Sequence, residues 1–86
     1  MYELQKSEYF DGNLAIMVMD GFEVYCKLTV NLGIKLPKDM AFVDVNNLDE
    51  KFIKQFENIM EPVIKDGKQV TVQSGFVTYP LYKFNL

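Results

Sequence analysis

The sequence predicts a small α+β domain in which a mainly antiparallel sheet of about five to six strands packs against one amphipathic helix over about residues 47–61. Three observations carry that expectation. Apolar residues alternate at period two through Phe22, Val24, Cys26, Leu28, Val30 and Leu32, the pattern of a strand with one buried face. Leu48, Phe52, Ile53, Phe56, Ile59, Met60 and Val63 recur instead at helical spacing, with Lys51, Lys54, Gln55, Glu57 and Asn58 opposite them. The last thirteen residues, 74–86, hold Phe76, Tyr79, Tyr82 and Phe84 in an extended segment too aromatic for a frayed tail.

Taken in chain order, Asp11-Gly12 separates residues 2–10 from a strand that begins at Leu14. Asp20-Gly21 separates that strand from the long alternating one, and the three form a meander. A two-residue loop of Asp20-Gly21 would oppose Met19 to Phe22 and set Leu14, Ile16 and Val18 beside Glu23, Tyr25 and Lys27. A three-residue loop, Met19-Asp20-Gly21, pairs Val18 with Phe22, Ile16 with Val24 and Leu14 with Cys26, and so gathers the aliphatic residues on one face. The expected turn is therefore type I with Gly21 left-handed in a G1 bulge.

Residues 33–40, with Pro37, read as a loop, and Ala41 to Val45 as a fourth strand. Asn47 caps the expected helix, and Glu50 completes an approximate capping box. Pro62 ends the regular helix near Met60 or Glu61. From Lys68 the chain returns to strand, with Val70 and Val72 on one side and an irregularity at Gly75 before Val77, Tyr79 and Leu81. Pro80 has no N–H and belongs at a sheet edge or a bulge, which leaves one side of this strand unable to pair fully.

Eighty-six residues, about half of them apolar, suit one domain spanning 1–86. A chain of this size removes roughly 60–65% of its unfolded surface on folding, so the seven Phe and five Tyr are needed for a core. The single Cys26 excludes an internal disulfide and points to a reducing compartment. The start lacks a signal-peptide pattern and no stretch has the apolar length of a membrane span, so a cytoplasmic location and no membrane partner are expected. Nine basic against twelve acidic residues, a formal charge of -3, disfavour a phosphate-binding surface.

Asn13-Leu14-Ala15-Ile16, Leu28-Thr29-Val30-Asn31-Leu32 and Phe42-Val43-Asp44 with Asn46-Asn47 resemble, over about residues 12–86, a family of small uncharacterised bacterial proteins. The strongest likeness is in Ser74-Gly75-Phe76, Thr78-Tyr79-Pro80-Leu81-Tyr82 and Phe84. Members of that family form a domain of unknown function found largely on phage and conjugative elements. The resemblance implies a small α+β fold and an association with mobile DNA, and it brings no activity, cofactor or functional residue with it.

No residue pattern here points to catalysis. Cys26 lies among inward apolar residues and there is no His to make its thiolate, so it reads as a small core hydrophobe. One Cys and no His leave nothing for zinc. Asp44, Asn46, Asn47, Asp49 and Glu50 read as strand-end and helix-cap residues, since they lack calcium-loop spacing. No cofactor, metal or catalytic residue is expected, and the protein is not expected to be an enzyme.

In the register argued above, Met17, Met19 and Tyr25 share the outer sheet face with Ala15. Together with Tyr79 and Tyr82 they form the expected protein-binding surface, because Tyr suits interfaces and large exposed apolar faces attract partners. The function expected is a non-enzymatic interaction module of a mobile element, with an unidentified protein partner or a homodimer. The alternatives are a nucleic-acid-associated accessory protein and an acidic inhibitor of a host defence enzyme.

Overall fold

The strands follow from the alternating segments and take up 51% of the chain, against 9% helix. The computed structural model describes residues 1–86. In chain order they are β1 (Tyr2–Glu8), β2 (Leu14–Asp20), β3 (Glu23–Lys27), β4 (Thr29–Val30), β5 (Met40–Val43), β6 (Met60–Pro62), β7 (Ile64–Lys65), β8 (Lys68–Gln69), β9 (Thr71–Ser74) and β10 (Val77–Phe84). One helical turn, α1 (Glu50–Lys54), and a 3-10 turn at Glu57–Ile59 lie between β5 and β6. The fold is thus mostly antiparallel sheet, which corrects the expected α+β arrangement with an amphipathic helix over 47–61.

The apolar stripe survives although the helix does not. Phe56 and Met60 are in the core, and Leu48, Phe52, Ile53 and Ile59 pack against it. They arrive from one α turn, one 3-10 turn and one strand in succession. Asp49, not Asn47, caps α1, its Oδ1 accepting from Lys51 N at 3.3 Å. Asn47 instead donates from its backbone N and from Nδ2 to the two carboxylate oxygens of buried Asp44. Phe56 N bonds to Ile53 O and Ile59 N to Phe56 O, which are three-residue spacings, and Met60 is already extended. With Pro62 unable to donate, continuing as strand lets β6 pair with β10 and satisfy backbone groups that a helix ending there would leave open.

β1, β2 and β3 form the expected meander, but the three-residue loop is at its first turn and not at its second. The three-residue loop with a type I turn and G1 bulge occurs at Phe10-Asp11-Gly12: Gly12 N bonds to Tyr9 O, Tyr9 N bonds to Asn13 O, and Gly12 has φ +88°. Between β2 and β3 the loop is Gly21-Phe22, with Asp20 opposite Glu23 and Gly21 at φ +65° in the first turn position, as a type II′ turn requires. Val18 then pairs with Cys26 and Met19 with Val24, and Tyr25 is the extra residue of a bulge. The expected pairing of Val18 with Phe22 does not form, and neither does the rejected one of Met19 with Phe22. The bulge reverses the side-chain alternation halfway along the strand, so Phe22 and Val24 are exposed while Leu28 is buried.

At Leu28 the strand leaves β2 and turns to β5. Leu28 N bonds to Ile16 O, and Leu28 O accepts from Asp44 N. The buried Ile16 N–H loses its ladder partner at this bend, and Thr29 Oγ1 accepts from it at 3.1 Å. Tyr9 Oη lies 2.9 Å from the same hydroxyl. A side chain thus completes the ladder where two sheets part.

The second sheet runs β4, β5, β10, β6, with β9 also on β10, which makes the aromatic C-terminal segment its central strand. Ala41, Val43, Met60 and Phe84 face the core shared with Leu14, Ile16, Val18 and Leu28, while Phe42 and Leu81, paired with one another, are buried on the opposite face. β6 and β9 meet β10 end to end on one side. Val63 N bonds to Leu81 O, Leu81 N to Val70 O and Val70 N to Val63 O, a closed triangle between three strands. The ladder to β5 stops at Leu81 opposite Phe42, so the missing N–H of Pro80 falls just past its end. Gly75, expected as an irregularity, is the first residue of a Gly75-Phe76 hairpin turn with φ +64°.

The long loop after β4 is tied down by Asn13, which is buried. Asn13 Nδ2 donates to Ile34 O at 2.8 Å and to Asn31 Oδ1 at 3.2 Å, and its Oδ1 accepts from Leu36 N. Asp11 accepts from Asn31 Nδ2 and from Asn13 N. These bonds, Asn31 first, hold the Asp11 carboxyl below its ordinary range.

Two outcomes follow from these contacts. Thr29→Val leaves the Ile16 N–H buried without a partner and costs about 1–3 kcal/mol in urea unfolding, whereas Thr29→Ser, which keeps the hydroxyl, costs less; equal losses would remove the bond's role. Asp11→Asn lowers the melting temperature at neutral pH. A lowered folded pKa stabilises above the unfolded value and is lost as pH falls through the folded one, so the gap to wild type closes under acid conditions.

Candidate interaction surface

Tyr82 is flanked on β10 by two short side chains, Ala41 of β5 and Pro62 of β6. Its ring therefore stands beside open space, and α1 forms the far wall. One groove of about 510 Å³ is lined by apolar Ile53, Met60, Pro62 and Tyr82 and by exposed Glu50, Lys54 and Glu57. A second, of about 380 Å³, is lined by Val45, Leu48, Glu50, Ile53 and Tyr82. Glu50, Ile53 and Tyr82 border both hollows, which makes them the centre of one concave surface with an apolar floor.

On the neighbouring side of α1 lies an aromatic cluster. Tyr2 and Tyr25 have ring centroids 4.6 Å apart, and Phe52 is 5.4 Å from Tyr2 and 5.7 Å from Tyr25. Phe56 meets Phe52 edge-on at 5.6 Å and links the cluster to the core. Such contacts add about 0.5–1.5 kcal/mol each beyond area burial. The Tyr25 phenol, burial of the ring and nearby negative charge raise the Tyr2 pKa above its ordinary value.

The five expected surface residues do not form one patch. Met17 and Met19, half-buried, lie on the outer meander face opposite Gln5 and Glu3, and Ala15 beside them is buried. Tyr25 does not share that face: the bulge puts it with Cys26 on the side of Val18, against Tyr2 and Phe52. Tyr79 pairs with Val72 in the β9–β10 hairpin, on the face of β10 opposite to Tyr82. Only Tyr82 lines a concavity. Its companions Ile53 and Met60 lie in the segment expected as helix, and Pro62, expected to end that helix, is instead in the strand β6.

Among ionisable groups, Cys26 is half-buried, and burial, with Asp44 nearby, pushes its thiol pKa up. No three His, Cys, Asp or Glu side chains come together as a metal site. No helix is long and apolar enough to cross a membrane.

The family model described as a domain of unknown function, DUF4313, matches residues 3–86, and the chain belongs to that family. No curated protein and no solved structure matches it.

The raised thiol pKa and the half-buried position of Cys26 make alkylation slow. Iodoacetamide labelling at neutral pH is expected to be far slower in the folded protein than in urea. Equal rates would show the thiol to be freely accessible.

Proposed function

We propose that this chain is a non-enzymatic protein-interaction module of a mobile genetic element, and that its partner docks on the groove beside Tyr82. The half-exposed Tyr82 between two hollows carries this reading. Its surroundings have the composition of a binding patch, with Ile53, Met60 and Pro62 beneath a charged rim of Glu50, Lys54 and Glu57. A tyrosine there offers a large rigid contact with a polar tip. The mobile-element setting rests on the resemblance of the C-terminal motif and of the Asn13 and Leu28 segments. The excess of acidic residues supports a protein partner over nucleic acid, whose affinity depends on clustered basic side chains.

Affinity capture from the native host tests the reading, with wild type compared with Tyr82→Ala and with the exposed-rim variant Glu57→Lys. The expected result is one protein retained by wild type, lost with Tyr82→Ala and reduced with Glu57→Lys, while both variants still unfold cooperatively. Retention by both variants, or no specific protein, would end the proposal.

A further inference from the structure

We propose that a second copy of this chain pairs with β1 edge to edge, in antiparallel fashion, about a two-fold axis at Leu4. β1 is paired only with β2, and no backbone bond is made on its other side. Which groups are free follows from the hairpin. Tyr9 N bonds to Asn13 O, and along the same register Ser7 faces Ala15, Gln5 faces Met17 and Glu3 faces Met19. Antiparallel ladders alternate, so these odd residues bond to β2 and the N–H and C=O groups of Tyr2, Leu4, Lys6 and Glu8 point outward. Ile16 supports the assignment, since its backbone bonds go to Leu28 and Thr29 on the β3 side.

The other edges are obstructed. β3 carries the Tyr25 bulge, β4, β7 and β8 are two residues long each, β6 is three residues long and ends in Pro62, and β9 has four residues. β1 has seven, without Pro or bulge. Bulges, prolines, shortness and charged side chains keep sheet edges from pairing; β1 lacks the first three, and of its charged residues Glu3, Lys6 and Glu8 none meets a like charge when Leu4 lies on the axis.

Its side chains choose the register. Outward groups match only when even residues meet even residues. A two-fold on Lys6 would oppose two ammonium groups, and one on Gln5 would set Leu4 against Lys6. With the axis on Leu4, the two Leu4 side chains meet, each Lys6 lies opposite the partner's Tyr2, and Glu3 lies opposite Gln5. Leu4 and Tyr2 are half-buried and already pack on the core, so this pairing extends the apolar layer across the axis. Directly opposed side chains are about 4.5–5.5 Å apart at Cβ, which allows Lys6 to lie over a Tyr2 ring, a favourable cation–π arrangement. The surface is separate from the Tyr82 groove, and either proposal can fail without the other.

Sedimentation velocity over a wide concentration range, combined with amide hydrogen exchange, tests it. Wild type is expected to move from the 10.0 kDa monomer toward twice that mass, with the Leu4 and Lys6 amides gaining protection as concentration rises and those of Glu3 and Gln5 unchanged. Lys6→Pro removes an outward N–H that β2 does not use, and is expected to abolish the dimer. Lys6→Glu, at an exposed position, tests the register if proline perturbs folding, and is expected to weaken the dimer several-fold. A wild type that stays monomeric throughout, a dimer that survives both variants, or protection gained elsewhere than on β1 would overturn the proposal.

Discussion

The bond from Ile16 N to the Thr29 hydroxyl holds the two sheets in one structure. A strand that bends from one sheet into another must leave some backbone group behind, and here that group is inside the core, where an unpaired N–H is costly. Thr29 sits one residue past the bend with its Oγ1 in the place a carbonyl would take. Leu28, between the two sheets, gives its N–H to Ile16 and its carbonyl to Asp44. These bonds tie β2, β4 and β5 to one another, and the apolar residues of both sheets meet over this joint.

β10 plays the corresponding part at the other end. It is bordered by β5 on one side and by β9 and then β6 on the other, with the change of partner at Leu81. The triangle of bonds among Val63, Val70 and Leu81 lets two strands of one hairpin diverge without orphaned backbone groups. This divergence leaves β6 and α1 as walls of one groove. The Tyr82 groove is a consequence of it, since Pro62 is placed opposite Tyr82 where a bulkier neighbour would fill the hollow.

Much of the local structure was legible in the residues. The glycines at 12 and 21 mark turns, each with positive φ, and β2, β5 and β10 lie where aliphatic and aromatic residues concentrate. The hairpin register was not legible. Side-chain parity fixes a register only where alternation is unbroken, and between Phe22 and Leu32 the extra residue at Tyr25 breaks it. The helix failed for a related reason: period 3.6 in residues 48–63 records which side chains reach the core, and a helical turn, a 3-10 turn and a strand can present the same set. The surface residues fared accordingly, with Tyr25 reassigned to an aromatic cluster and Tyr82 left beside a groove whose other walls had been read as helix.

The sequence by itself determined that this chain builds an aromatic-rich core, where its turns lie, and that it offers no His, no disulfide and no clustered basic surface for chemistry that needs them. These follow from composition and from backbone preferences that act over a few residues. Only the tertiary structure decided where Tyr25 breaks the alternation, how Thr29 closes the joint, and which of the tyrosines faces a hollow. Each of those depends on contacts between strands, above all the buried Ile16 N–H and its partner Thr29 thirteen residues on, and local pattern carries no record of such a partner.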